Sequence, residues 1–345
     1  MKKFNFKKAY IIAEMSCNHN QDVNRAMEIM HAAKNAGADA IKLSTETPDC
    51  LTIDCNSDIF TISGGTLWDG DSLYQLYGKT FMSWEDQKPL FQIAKEIGID
   101  IFSTPTSPWG VDRLEEVKVE MYKVASFELV DIPLLEKIAS THKPVIMSTG
   151  MASFAEVDEA VKTLRNNGCP ELALLKCVSC YPAKAEDMNL RTIPDLAAQF
   201  DCVAGLSDHT MDIAVPIAAV ALGAKIIEKH FTLSRSDKGP DSEFSLEPHE
   251  FKEMVEAVRS AEKALGKVSY ELSEREKASK IFRRSLFVVK NIKQGELFTE
   301  ENVRSIRPGH GMHPRYLKEI IEKKAKHDLL RGTPLTFDNI KKDEK

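Results

Sequence analysis

The stretch KIIEKHF (225–231) sets two adjacent isoleucines just ahead of Glu228, Lys229 and His230. An apolar run this short, closed by polar residues, reads as a buried strand that delivers His230 at its carboxyl end. About twenty residues earlier, CVAGLSD (202–208) runs into His209 in the same way. Two successive strands that each finish on a histidine suggest a fold in which neighbouring strand ends converge.

Six further apolar runs precede these two: AYIIAEM (9–15), AIKLS (40–44), DIFST (100–104), MYKVAS (121–126), PVIMST (144–149) and LALLKC (172–177). Amphipathic stretches lie between them. In NRAMEIMHAAKNAG (24–37), Ala26, Ile29, Met30, Ala33 and Ala36 recur at helical spacing before Gly37. WEDQKPLFQIAKEIG (84–98), LLEKIASTH (134–142) and FAEVDEAVKTLRNNG (154–168) follow the same pattern. Eight buried strands, mostly separated by helices, predict an α/β protein built as a (β/α)8 TIM barrel. Residues 45–83 read as a long loop after the second strand, with a tight turn at Gly64-Gly65. A loop of that length in a compact domain is usually functional or a lid.

EFKEMVEAVRSAEKALG (250–266) completes the barrel, so the catalytic domain is expected to span 1–268. The charged residues 269–284 read as a linker. From 285 to 345 the pattern changes to strand-like apolar pairs, a KQGE turn and short elements, which predicts a small β-rich domain. A unit of roughly 60 residues is marginal alone, so it is expected to pack on a barrel or on another subunit.

The 345 residues are 43% apolar and 28% charged, enough for a large core, and the net charge of -6 argues against a general nucleic-acid binder. No run approaches the ~18 apolar residues of a membrane span. The N-terminal apolar run is too short for a signal peptide and is interrupted by Glu14. Seven scattered cysteines point to reduced thiols in a cytoplasmic protein. Cys177-Val-Ser-Cys180 has no second CxxC and follows a strand, so its cysteines read as unpaired and structural.

In such a barrel the chemistry sits at the carboxyl ends of the strands. Those ends hold Glu14, then Asn18-His19; Lys42; Thr104; Lys123, Ser126 and Glu128; Ser148; Ser179 and Tyr181; Ser207, Asp208 and His209; and His230, with Asp241 in the loop GPDSEFSL. Two lysines and a row of hydroxyls suit a small doubly anionic ligand, such as a phosphate plus a carboxylate. Two histidines on neighbouring strands can hold a divalent metal with positions left open. Glu128 and Asp241 can move protons. Each feature also has a structural reading: a hydrogen-bonded histidine, a buried salt-bridge network around the lysines, a simple turn at Asn18-His19. His31 and His142 fall on helices and are assigned to surfaces.

The motifs IIAEMSCNHNQD, GADAIKLST, FSTP, YKVASFE, VIMSTGM, LLKCVSCYP, GLSDHT, EKHFT and GPDSEFSL occur in this order along the chain, which thereby resembles the sialic acid synthases over nearly its whole length. VRSIRPGHGMHP resembles their C-terminal antifreeze-like (SAF) domain. The resemblance implies condensation of phosphoenolpyruvate with an acetamido sugar to a nine-carbon nonulosonic acid. GGTLWDGDSLYQLYG is most like the pseudaminic acid synthase branch, which uses 2,4-diacetamido-2,4,6-trideoxy-L-altrose, and Ser179 in CVSCYP is compatible with it. Neuraminate or legionaminate synthesis by the same mechanism is the alternative. Carried over, the resemblance implies a divalent metal on His209 and His230, typically manganese, with magnesium or cobalt as alternatives. Lys123, Ser126, Ser148, Ser179 and Ser207 would hold the phosphate, and Lys42 and Thr104 the carboxylate. Glu14, Glu128, Tyr181 and Asp241 would face the sugar and its water. Arg307 would reach a partner's barrel in a domain-swapped homodimer. The family pattern KxQT after the second strand is KLST here, so Ser44 departs from it. A Schiff-base aldolase with Lys123 as nucleophile leaves the histidine pair and the serines unexplained. An ice- or sugar-binding role leaves the charged strand ends unexplained.

Overall fold

The computed structural model describes residues 4–55, 57–63 and 69–342. The chain forms two compact units, Met1–Gly266 and Lys267–Lys345. In the first, eight parallel strands close into a barrel in sequence order. They are β1 (Tyr10–Glu14), β2 (Ala40–Thr45), β3 (Asp100–Pro105), β4 (Tyr122–Val124), β5 (Val145–Ser148), β6 (Leu172–Cys177), β7 (Val203–Asp208) and β8 (Ile226–His230). Each falls inside or within a residue of the apolar run that predicts it. Closure is made by β1 against β8, where Glu14 lies opposite His230.

Alternation along each strand sorts the side chains. One set, including Ile11, Ala13, Ile41, Leu43, Tyr122, Val124, Leu174, Leu206 and Ile227, packs outward under the helices in one large core. The other set turns inward. Tyr10, Ile12, Ala40, Phe102, Met121, Ile146, Ala173, Leu175 and Ile226 fill the lower barrel as a separate apolar cluster. Two residues further up the same strands the inward positions become Glu14, Lys42, Thr104, Lys123, Ser148, Cys177 and Glu228. The barrel is thus an apolar plug below and a polar floor above.

Helices form where the periodicity places them, and local chemistry sets their ends. Ser83 caps Trp84–Ile97 through the Asp86 N–H, and Gly98 stops it in the left-handed region at φ 70°. Ser153 and Glu156 make a reciprocal capping box on Phe154–Asn166. The segment after β2 differs from the long loop expected. It contains helices Pro48–Leu51 and Leu73–Thr80. The second is capped by Ser72 and Gln75, and Gln21 donates to the carbonyls of Gly78 and Phe81 at its far end. The Gly64-Gly65 turn lies outside the described residues.

In the second unit, β9 (Ser285–Val288) pairs antiparallel with β10 (Val303–Ile306). Leu286, Val288, Ile292, Phe298, Val303 and Leu335 are among its core residues. The KQGE turn forms, with Gly295 at φ 79° and the Glu296 N–H on the Lys293 carbonyl. The stretch read as linker carries a short capped helix, Glu274–Ser279.

Gly205 on β7 marks a close approach inside the barrel. A Cβ there would stand 2.4 Å from the Ile226 carbonyl oxygen and 2.7 Å from Leu175 Cδ2. A backbone carbonyl held in the β7–β8 ladder cannot give way. Gly205→Ala is expected to destabilise the barrel by roughly 1–3 kcal/mol. Thermal unfolding of purified variant and wild type measures this, and an unchanged midpoint would show that the ladder relaxes.

Candidate active site

A cavity of about 390 Å³ opens above the polar floor. Of the residues singled out in the sequence, Glu14, Lys42, Thr104, Lys123, Ser126, Glu128, Ser148, Tyr181, Ser207, His209, His230 and Asp241 all line it. Ser179 does not. Its hydroxyl lies close to that of Ser126, which does line the cavity, at Gly150, where a Cβ would meet the two oxygens at 2.2 and 2.7 Å. Arg307 is exposed on the second unit. His31 and His142 are exposed as assigned, whereas His19 is buried on the cavity wall. Asp208 turns outward and pairs with buried Lys229 at 2.5 Å, away from the cavity.

The floor is an ionic cluster. Lys42 forms an ion pair with Glu14 and donates to Thr104 Oγ1 at 3.2 Å. Lys123 donates to Ser148 Oγ at 2.7 Å. Glu228 lies between the two ammonium groups, 4.0 Å from Lys42 and 3.7 Å from Lys123, and accepts from Ser207. Burial alone would push the Glu228 carboxyl up, but Lys123 and Lys42 outweigh it and hold the group ionised. Burial dominates at Glu14, whose pKa rises to about 7 against the pull of Lys42. Burial likewise pushes Glu128 and Asp241 up. One oxygen of Glu228, Oε2, is buried without a hydrogen-bond partner.

Above the floor the two histidines face each other with ring centroids 5.3 Å apart. His209 Nδ1 lies 2.8 Å from the Val178 carbonyl, a contact it can make only as donor, with Nε2 left for other partners. Burial works against the charged ring, but Cys177 and the Val178 carbonyl outweigh it and raise the His209 pKa. Among the described residues His230 Nδ1 is buried without a hydrogen-bond partner, 3.9 Å from Asp241 Oδ2. Burial, then His209 and the lysines, holds His230 well below its ordinary pKa, so its ring is neutral. Tyr181 and Phe244 wall the pair, with Tyr181 4.3 Å from the His209 ring and Phe244 5.1 Å from His230. Asp241 is held by Ser16.

Two imidazoles with unused ring nitrogens beside a carboxylate fit a divalent cation. Among the described residues no group of three or more histidine, cysteine, aspartate or glutamate side chains is arranged to hold one. The fit is therefore to an open site, in which water or substrate completes the coordination.

Several cavity residues were not singled out in the sequence as site residues. Glu228 was legible there: in KIIEKHF it shares a strand face with His230, so an inward histidine places an inward carboxylate. Glu46 carries the same signal on β2, two steps beyond Lys42. Cys177 is free, as expected, but it lines the cavity and lies 3.9 Å from His209, while Cys180 is exposed. Leu73, Leu76, Tyr77 and Thr80, one face of the helix Leu73–Thr80, form the wall above β2.

A polar site at the mouth of a (β/α)8 barrel, with paired lysines below and paired histidines above, defines an enzyme that handles a small anionic substrate. The chain belongs to the NeuB family, whose pattern matches residues 29–270, and a SAF domain matches residues 283–341. It is 45% identical to a pseudaminic acid synthase of Helicobacter pylori over 96% of this chain and 98% of that protein. It is 37% identical to an N,N'-diacetyllegionaminic acid synthase of Campylobacter jejuni over 94% and 99% of the two chains. The crystal structure of an N-acetylneuraminic acid synthetase from Leptospira borgpetersenii superposes with a TM-score of 0.70 at 32% identity, covering 79% of this chain and 90% of that one.

His19 couples the wall to pH. Its Nδ1 accepts the Gln21 N–H at 2.9 Å, which only a neutral ring can do. Burial, with Arg25 nearby, lowers its pKa from 6.5 to about 4. The unfolded chain therefore takes up this proton first. The stability it contributes is full above pH 6.5 and is lost as pH falls toward 4. His19→Asn, which keeps an acceptor but cannot titrate, is expected to flatten the fall in thermal midpoint over that window. Parallel slopes for the two proteins would show that His19 does not carry the acid limb.

Proposed function

We propose that this enzyme condenses phosphoenolpyruvate with 2,4-diacetamido-2,4,6-trideoxy-L-altrose to give a nine-carbon nonulosonic acid, pseudaminic acid, and inorganic phosphate. The observation that carries the reading is the pair of buried lysines with hydroxyls on the cavity floor, directly beneath two imidazoles. The similarity to the Helicobacter pylori pseudaminic acid synthase supports the choice of sugar.

Lys42 and Thr104 take the carboxylate of phosphoenolpyruvate. Lys123 takes the phosphate, with Ser126, Ser148, Ser179 and Ser207 adding hydroxyl donors. The missing side chain of Gly150 leaves room for that cradle. His209 and His230 hold the divalent metal, which when bound polarises the carbonyl oxygen of the open-chain sugar. Manganese is the metal proposed, although two imidazoles and oxygen ligands also accept magnesium or cobalt.

C3 of phosphoenolpyruvate then forms the new bond to the sugar aldehyde carbon as the C=O π bond breaks, and the aldehyde oxygen takes a proton from a cavity carboxyl, Glu14 or Asp241, to become the new hydroxyl. Positive charge develops at C2, where the carboxylates of Glu14, Glu128 and Glu228 stabilise it. Water adds to C2 as a nearby carboxylate takes its proton. Glu14, with a pKa of about 7, is suited to exchange a proton near neutrality. The tetrahedral adduct collapses with cleavage of its C2–O bond. That oxygen leaves with the phosphate, held by Lys123. Tyr181 and Asp241 position the sugar, and Arg307 is proposed to complete the sugar site across a domain-swapped homodimer.

Phosphate release from phosphoenolpyruvate with manganese tests this reading. Turnover is expected with the diacetamido altrose sugar and at least tenfold less with N-acetylmannosamine or the legionaminate precursor. Faster release with either of the other two would move the substrate assignment, and no release with any of them would overturn the reaction.

His230→Ala is expected to lower kcat by a hundredfold or more while the thermal midpoint stays within a few degrees. Titration of manganese into the apoprotein, followed by paramagnetic resonance, should show the weakened site directly. Unchanged manganese affinity in the variant would remove His230 from the ligand set.

A further inference from the structure

The inward positions of β2 continue past its end. Ala40 belongs to the apolar plug, Lys42 to the ionic floor, and Ser44 and Glu46 line the cavity in turn. Four residues at about 3.3 Å each put Glu46 roughly 13 Å along the strand from Lys42, at the mouth. Leu73, Leu76 and Tyr77 of the helix over β2, with Leu51 and Ile62 from the same segment, line the cavity with it, and the charges of Glu128, Lys42, Asp241 and Glu14 reach it. Ser44, the inward residue between Lys42 and Glu46, is too short to occupy that space.

Among the described residues, Glu46 has neither a hydrogen-bond donor nor an ion-pair partner. Withdrawal from water, with the Glu128 carboxylate nearby, raises its pKa to about 7 against the pull of Lys42. Tyr77 feels both carboxylates in turn. A carboxyl kept among apolar side chains without a donor is costly in the free protein. The cost is offset when a ligand brings an N–H to it.

We propose that Glu46 is the specificity-determining residue for the acetamido group at C4 of the sugar, accepting its amide N–H while the acetyl methyl packs on Leu73 and Leu76. This rests on the sugar-condensing reading given above. The assignment to C4 follows from depth. C2 neighbours the reacting aldehyde, which must lie low, against phosphoenolpyruvate. C4 is the acetamido carbon remote from that bond and therefore nearer the mouth. Apolar side chains beside an acceptor that has no donor among the described residues match a group that has one N–H and one methyl.

The test is a cycle of enzyme and substrate changes. The full-length wild type, Glu46→Gln and Glu46→Leu are each assayed by phosphate release with the diacetamido sugar and with its 4-acetoxy analogue. The analogue keeps the carbonyl and methyl and replaces the N–H by an ester oxygen. The wild type is expected to prefer the amide in kcat/KM by roughly tenfold to a hundredfold, the worth of a buried charge-assisted hydrogen bond. Glu46→Leu should abolish that preference and raise the KM for the sugar, with the KM for phosphoenolpyruvate unchanged. Glu46→Gln, which retains a carbonyl acceptor, should keep part of it and serves should the leucine variant not fold. Equal use of both sugars by the wild type, or the same preference in the wild type and both variants, would overturn the assignment of Glu46 alone. No phosphate release by the wild type with either sugar would overturn the condensing reaction as well, so the two failures are distinct.

Discussion

Glu228 sits between Lys42 and Lys123 on the floor of the barrel, and the rest of the site depends on that triplet. Two buried ammonium groups near one another would repel and discharge without a carboxylate to share. With Glu228 between them, and Glu14 on Lys42, the carboxylates oppose the discharge that burial favours at the depth where an apolar plug ends, raising Lys42, while burial still lowers Lys123. Removing one member of such a cluster leaves an uncompensated buried charge, which is far worse than lacking the cluster altogether. The floor therefore holds its positive groups in place before any anion arrives.

The layer above works in the opposite sense. The same lysines help keep His230 neutral, and the Val178 carbonyl fixes the proton of His209 on Nδ1. Positive charge below thus maintains the lone pairs of His230. Lysines below and a neutral imidazole above can be stacked in one small cavity because the first help suppress protonation of the second. Tyr181 and Phe244 add to this by keeping water from the imidazole rings.

The eight strands could be read from the sequence because each is a short apolar run bounded by polar or turn residues. The strand-end residues followed from that, and most of them line one cavity. What escaped the sequence reading has physical causes. Asp208 sits at a strand end but on the wrong side of the alternation, and Ser179 lies two residues past the end of β6, where the strand no longer sets the direction of a side chain. Glu228 and Glu46 obey the alternation but sit among residues whose composition does not set them apart. The helix Leu73–Thr80 interrupts a segment whose periodicity spans only two turns, too little to separate it from a loop. The relation between His19 and the Gln21 N–H is a local turn contact that no pattern of residue types announces.

The segment over β2 is continuous in the chain and is tied down at one end by the Gln21 side chain. The residues proposed to do the chemistry are spread over all eight strands. The mouth and the reaction centre are thus encoded in separable parts of the gene. Recombination or insertion within that one segment can reshape the mouth while every group on the strand ends stays where it was, so the opening can diverge without disturbing the floor.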